Sequence, residues 1–128
     1  MKIGTTYEKK CIVTDDLTAK NMGSGDLEVF ATPAMIALME GCAAESVLNE
    51  LEAGSTTVGT HIDVQHLAAT PIGMEVVCKC VLQKAEGRAL HFTLEAWDES
   101  GLIGKGEHDR FIVYSKPFTE KTYQKLKK

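Results

Sequence analysis

Apolar and polar positions divide this chain into one long apolar helix and a series of alternating strands. Residues 7–14, YEKKCIVT, suggest a modest first strand ending at the turn-like Asp15-Asp16, and 20–27, KNMGSGDL, form a glycine-containing loop without periodicity. A helix is expected to start at Thr32-Pro33, with threonine as N-cap and proline in the first turn, and to run to about residue 52, with Gly54 as its stop. Its first half, PAMIALMEGCAA, is apolar on almost every side, which predicts a helix wrapped by protein; ESVLNELE is amphipathic and faces solvent.

Strand patterns fill the rest, to about residue 115. In 57–68 Ile62, Val64 and His66 share one face while His61, Asp63 and Gln65 share the other. A turn at TPIG (70–73) leads to a strand at 74–85, with Val76, Cys78, Cys80 and Leu82 together. Turns at Glu86-Gly87 and Glu99-Ser100-Gly101 lead into ALHFTLEAW and LIGKGEHDRFIVYS. One strand, a long helix and four strands in antiparallel hairpins predict an α+β hot-dog fold: an antiparallel sheet wrapped around one central helix. A ferredoxin-like fold would require a second comparable amphipathic helix, and none is visible.

Length and composition fit a single domain over 1–128, with 44% apolar and 25% charged residues. No run is long enough to span a membrane and the N-terminus lacks an apolar signal core, so a cytoplasmic protein with no membrane partner is expected. The net charge of −4 is unevenly spread: the tail 116–128 carries five lysines against one glutamate. It reads as a solvated tail or as local attraction for a polyanionic ligand. Nothing resembles a nucleic-acid surface. Cys11, Cys42, Cys78 and Cys80 lack the spacing of a zinc site and read as structural thiols; no metal is expected.

Chemistry concentrates in a few positions. Glu40 interrupts the apolar half of the helix, where a carboxylate must be paired, hydrogen-bonded or protonated, or must face a gap between subunits. Thr32 is explained by capping alone, yet lies eight residues earlier on roughly the same side; a rise of about 12 Å prevents direct contact but lets a substrate span both. His66 is a core histidine or a base, and His61, His91 and His108 are weaker candidates among polar neighbours. Gly59 reads as a bulge or as a place for a ligand carbonyl to approach a backbone N–H, and Arg110 as strand-pairing charge. Phe30, Met35 and Met39 would close a cavity.

EVFATPAMIALMEGCA (28–43), VGTHIDVQHLAATPIGMEV (58–76) and IGKGEHDRFIV (103–113) resemble the fluoroacetyl-CoA thioesterase family of hot-dog proteins, in one register over about residues 7–115. The resemblance implies acyl-CoA thioester hydrolysis with Thr32, Glu40 and His66 catalytic, Gly59 and Arg110 at the acyl-CoA, and a Glu40–His66 pair. It also implies a homodimer, extendable to a tetramer, with active sites near the subunit interface, and no cofactor beyond the coenzyme A of the substrate. One departure stands out. The fluoroacetate-selective member has lid phenylalanines in the loop before the helix, where Gly23 and Asp26 fall here, so that selectivity is not carried over. A small or medium acyl group is expected, on coenzyme A or an acyl carrier protein; the alternative is a non-catalytic acyl-CoA binding module.

Overall fold

The computed structural model describes residues 1–127. The elements run β1 (Thr6–Ile12), a short α1 (Ala19–Met22), α2 (Thr32–Val47), β2 (Ser55–His66), β3 (Glu75–Glu86), β4 (Ala89–Asp98), β5 (Gly101–Tyr114) and α3 (Ser115–Tyr123). All strand pairs are antiparallel in one five-stranded sheet of order β1-β3-β4-β5-β2. This is the hot-dog fold. β2 and β3 do not form the expected hairpin. β2 instead crosses to pair with β5 and becomes the sheet edge, because the connection after His66 is drawn elsewhere: the Leu67 N–H donates to the Ile103 carbonyl (2.6 Å) and the Phe30 N–H to the Thr70 carbonyl (2.9 Å).

α2 buries Ala34, Met35, Leu38, Met39, Cys42, Ala43 and Val47 against the sheet, joining Val76, Cys78, Cys80, Leu82, Phe92 and Leu94 in the core. Burying an aliphatic or aromatic side chain contributes about 1.5–3 kcal/mol, so this face anchors the helix. The all-round cover expected for α2 is not found within one chain. Ala37 is exposed and Ile36, Gly41 and Ala44 are half-buried, because the sheet curls around one side only. The helix is also shorter than expected: after Val47 it tightens into a 3-10 turn, Leu48–Glu50, and Gly54 reverses the chain at φ +83°.

The tail after β5 is helical. It forms α3 and a 3-10 turn, Gln124–Leu126, without burying a residue; Lys128, the end of the basic tail, lies outside the described residues. Cys42, Cys78 and Cys80 are buried free thiols and Cys11 is half-buried. The Cys42 thiol donates to the Tyr7 and Cys78 carbonyls at 3.5 and 3.6 Å. Its pKa is pushed up to about 12, chiefly by the Cys78 contact. Among the described residues no group of histidines, cysteines and carboxylates could hold a metal, and no helix is long and apolar enough to cross a membrane.

Candidate active site

Two polar clusters flank α2. The first joins the start of the helix to the end of β2: Thr32 Oγ1 and His66 Nδ1 are hydrogen-bonded at 2.7 Å. Capping therefore does not explain Thr32. Ala31 occupies the cap, its carbonyl taking the first helical bond from the Met35 N–H (3.0 Å), and no side chain caps the helix. The hydroxyl is left for the imidazole. His66 Nε2 is buried without a hydrogen-bond partner among the described residues. Burial holds the ring below the ordinary histidine range, opposed by the Ala68 backbone, so the imidazole is neutral at neutral pH. The pair opens into a cleft of about 320 Å³ lined also by Ala19, Ser24, Val29, Phe30 and Leu67. Phe30 is 1% exposed, so it forms the wall of that cleft as a core residue. Ser24 brings one loop to the edge of this cleft, and its loop neighbours Gly23 and Asp26 are both exposed.

The second cluster surrounds Gly59. A Cβ there would meet Glu40 Oε2 at 2.9 Å, His108 Cε1 at 3.2 Å and Arg110 Nη1 at 3.4 Å. Glycine is required for close approach, and the pairing of β2 with β5 shifts register between Gly59 and His61. Arg110 points inward and is 8% exposed. Its Nε–H donates to Thr57 Oγ1 (2.8 Å), Nη2–H to the Thr57 carbonyl (2.9 Å) and Nη1–H to His108 Nε2 (3.1 Å). Burial lowers the Arg110 pKa, and the Glu40 carboxylate opposes that shift. Arg110 is thus a buried, tethered cation facing a carboxylate, rather than strand-pairing charge.

The expected Glu40–His66 pair is not formed within the chain. α2 runs antiparallel to β2, so Thr32 meets the end of the strand and Glu40 its beginning. Seven residues separate Gly59 from His66, about 20 Å along a strand. Arg110 is held by His108, a weaker candidate on sequence, and by Thr57, which no sequence pattern singles out. The usable signal was alternation: His108 shares its face with Arg110 and Gly106, turned toward the helix, whereas the exposed face of β5 carries Lys105 and Glu107.

A match to the family described as fluoroacetyl-CoA-specific thioesterase (FlK) covers residues 13–116, both clusters included. The chain belongs to this family. A fluoroacetyl-CoA thioesterase from Streptantibioticus cattleyicolor is 40% identical over 98 residues, 77% of this chain and 70% of that protein. A solved structure of the fluoroacetyl-CoA thioesterase FlK matches with TM-score 0.93 at 33% identity, covering 98% of this chain and 97% of the other. A thioesterase superfamily member from Thermus thermophilus matches with TM-score 0.88 at 29% identity over 98% of this chain and 93% of its own. Membership in the fluoroacetyl-CoA-specific thioesterase family makes this chain a thioester hydrolase, and the two clusters are where its chemistry is to be sought.

Proposed function

We propose that this protein hydrolyses acyl-CoA thioesters of small or medium acyl groups in a homodimer, each active site combining the Thr32–His66 pair of one chain with the Glu40 cluster of the other. The Thr32–His66 hydrogen bond carries the reading, because it places a hydroxyl on a neutral imidazole beside an open cleft. With Nε2 protonated, the Thr32 hydroxyl donates into Nδ1. His66 takes that proton as Oγ1 attacks the thioester carbonyl. The C–S bond then breaks, the coenzyme A sulfur leaves with the proton from His66, and a water activated by the same ring hydrolyses the acyl-threonine. Arg110 and the Gly59 backbone lie on the side of charge stabilisation, where fixed donors act on the developing oxyanion. No cofactor beyond the substrate's coenzyme A is called for.

The assembly rests on two features. β2 is a twelve-residue edge strand, and its outer side pairs with no other strand among the described residues. The exposed part of α2 is apolar around Ala37. Antiparallel pairing of two β2 edges about an axis between Ile62 and Asp63 sets Gly59 of one chain opposite His66 of the other, closing the gap of about 20 Å. Four free thiols suit a reducing, cytoplasmic setting. The open cleft, bordered by a loop that carries Gly23 and Asp26 rather than phenylalanines, supports a broader acyl range than fluoroacetyl.

The test is free-thiol release from a panel of acyl-CoAs by wild type, Glu40→Gln and His66→Ala, and by a purified heterodimer of the two variants. A shared site predicts inactive homodimers and a heterodimer that regains activity from its one intact site. An inactive heterodimer would overturn the shared site. Wild-type rates no better than the variants on every substrate would sink hydrolysis, and thermal stabilisation by acyl-CoA without turnover would mark a binding module instead.

A further inference from the structure

His108 sits at 1% exposure on the inner face of β5, between the β2 bulge and Arg110. Nδ1 lies 2.7 Å from the His61 carbonyl and Nε2 lies 3.1 Å from Arg110 Nη1. A carbonyl only accepts and a guanidinium only donates, so both ring nitrogens are assigned: Nδ1 carries the hydrogen and Nε2 the lone pair. Arg110 faces the ring from β5, Glu40 from α2 and the apolar Phe92 ring from β4 at 6.4 Å, with Asp109 on the opposite face of β5. Burial is the largest influence disfavouring its charged state, and Arg110 adds to it. The His61 carbonyl and the Glu40 and Asp109 carboxylates pull toward the charged ring, but they do not outweigh burial and Arg110, which favour the neutral form.

Three of the five guanidinium N–H groups are held by Thr57 and His108. Thr57 engages Nε and Nη2, one edge of the fork, and leaves the Nη1 corner, the one nearest Gly59, to His108. We propose that His108 is a positioning residue for thioester hydrolysis: as a neutral Nδ1–H imidazole it ties the His61 carbonyl at the bulge to Arg110 and fixes where the remaining guanidinium N–H groups point, beside the Glu40 carboxylate. The role rests on the reading above that Glu40 and Arg110 serve that reaction.

Two substitutions separate positioning from structural support. His108→Gln keeps an acceptor within reach of Arg110. His108→Asn keeps a donor for the His61 carbonyl but is too short to reach the guanidinium. With His108 positioning Arg110, kcat of the glutamine variant stays within about threefold of wild type and that of the asparagine variant falls by about 100-fold, with KM changed little. Nitrogen-15 NMR of the wild-type ring reports a neutral Nδ1–H tautomer from pH 6 to 8, whether or not turnover is followed. Equal kcat values for the two variants, losses that follow melting temperature alone, or an Nε2–H or protonated ring at pH 7 would each overturn the proposal. Wild-type protein that turns over no acyl-CoA would instead remove the reaction itself, an outcome distinct from normal turnover with indistinguishable variants.

Discussion

At the start of α2, Thr32 and His66 share one hydrogen bond and leave an imidazole nitrogen buried without a partner among the described residues. Two turns further along, Arg110, His108 and Thr57 are hydrogen-bonded to one another, and Arg110 is buried at 8% exposure. Both regions are polar and both touch the same helix, yet one is underfilled and the other is closed. Buried polar atoms are nearly always partnered, so the exception marks where a substrate or water is to be received. The closed cluster suits a different role, holding a cation and a carboxylate in fixed geometry without reorganisation as charge develops.

Disabling the underfilled corner gives the largest expected effect. Thr32→Ala lowers kcat/KM by about 100- to 10,000-fold, while Thr32→Ser, which retains the hydroxyl, recovers most of it. Mass spectrometry of a rapidly quenched reaction should find the acyl group on the peptide that contains Thr32; acylation at Glu40 would reverse the assignment of the nucleophile. In the closed corner, Gly59→Ala drives a Cβ toward Glu40 Oε2 and His108 Cε1. A fall in kcat of about tenfold or more is expected, with a modest drop in melting temperature. An alanine variant with wild-type kcat would show that this packing is not needed for turnover.

The pH profile separates the regions more finely. His66 must be neutral to act as a base, and burial depresses its pKa. Activity should therefore be level at neutral pH and fall on the acid side, through a midpoint below the ordinary value of about 6.5. The neutral rings of the half-buried His66 and the buried His108 give stability that is complete above that value and lost as pH falls through their depressed pKa values. His91, on the outer sheet face, behaves oppositely. Asp109 at 2.5 Å and Glu107 at 2.9 Å raise its pKa. Its contribution is present below about 6.5 and lost as pH rises through the raised value. Being partly exposed it is worth at most about 1 kcal/mol, the smallest effect expected; melting curves of His91→Asn against wild type from pH 6 to 9 would measure it.

Much of the fold was legible because periodicity records burial. The strand faces of Ile62, Val64 and His66 against His61, Asp63 and Gln65 follow from alternation alone, and the apolar run 33–44 marks the helix. What could not be read was pairing between distant segments. The chain offered a hairpin between β2 and β3, whereas bonds from Leu67 and Phe30 direct the connection away. The site divides similarly. Thr32, Glu40, His66, Gly59 and Arg110 were named from residue type and resemblance, but their grouping depends on the direction of α2 relative to β2, which no local pattern encodes. His108 was discounted because a histidine near charges looks solvated, although its strand parity with Arg110 placed it inward.

The loop that borders the cleft through Ser24 carries an evolutionary consequence. Gly23 holds φ +77°, a conformation that side-chain-bearing residues adopt at a cost of about 1 kcal/mol, while Asp26 has no such constraint. The two positions are therefore unequal doors to a new substrate range. A bulky residue can arrive at 26 in a single step, but at 23 only together with a change in the backbone around it. Because that loop contributes neither Thr32 nor His66, acyl preference can drift there one mutation at a time while the hydrolytic machinery is inherited intact.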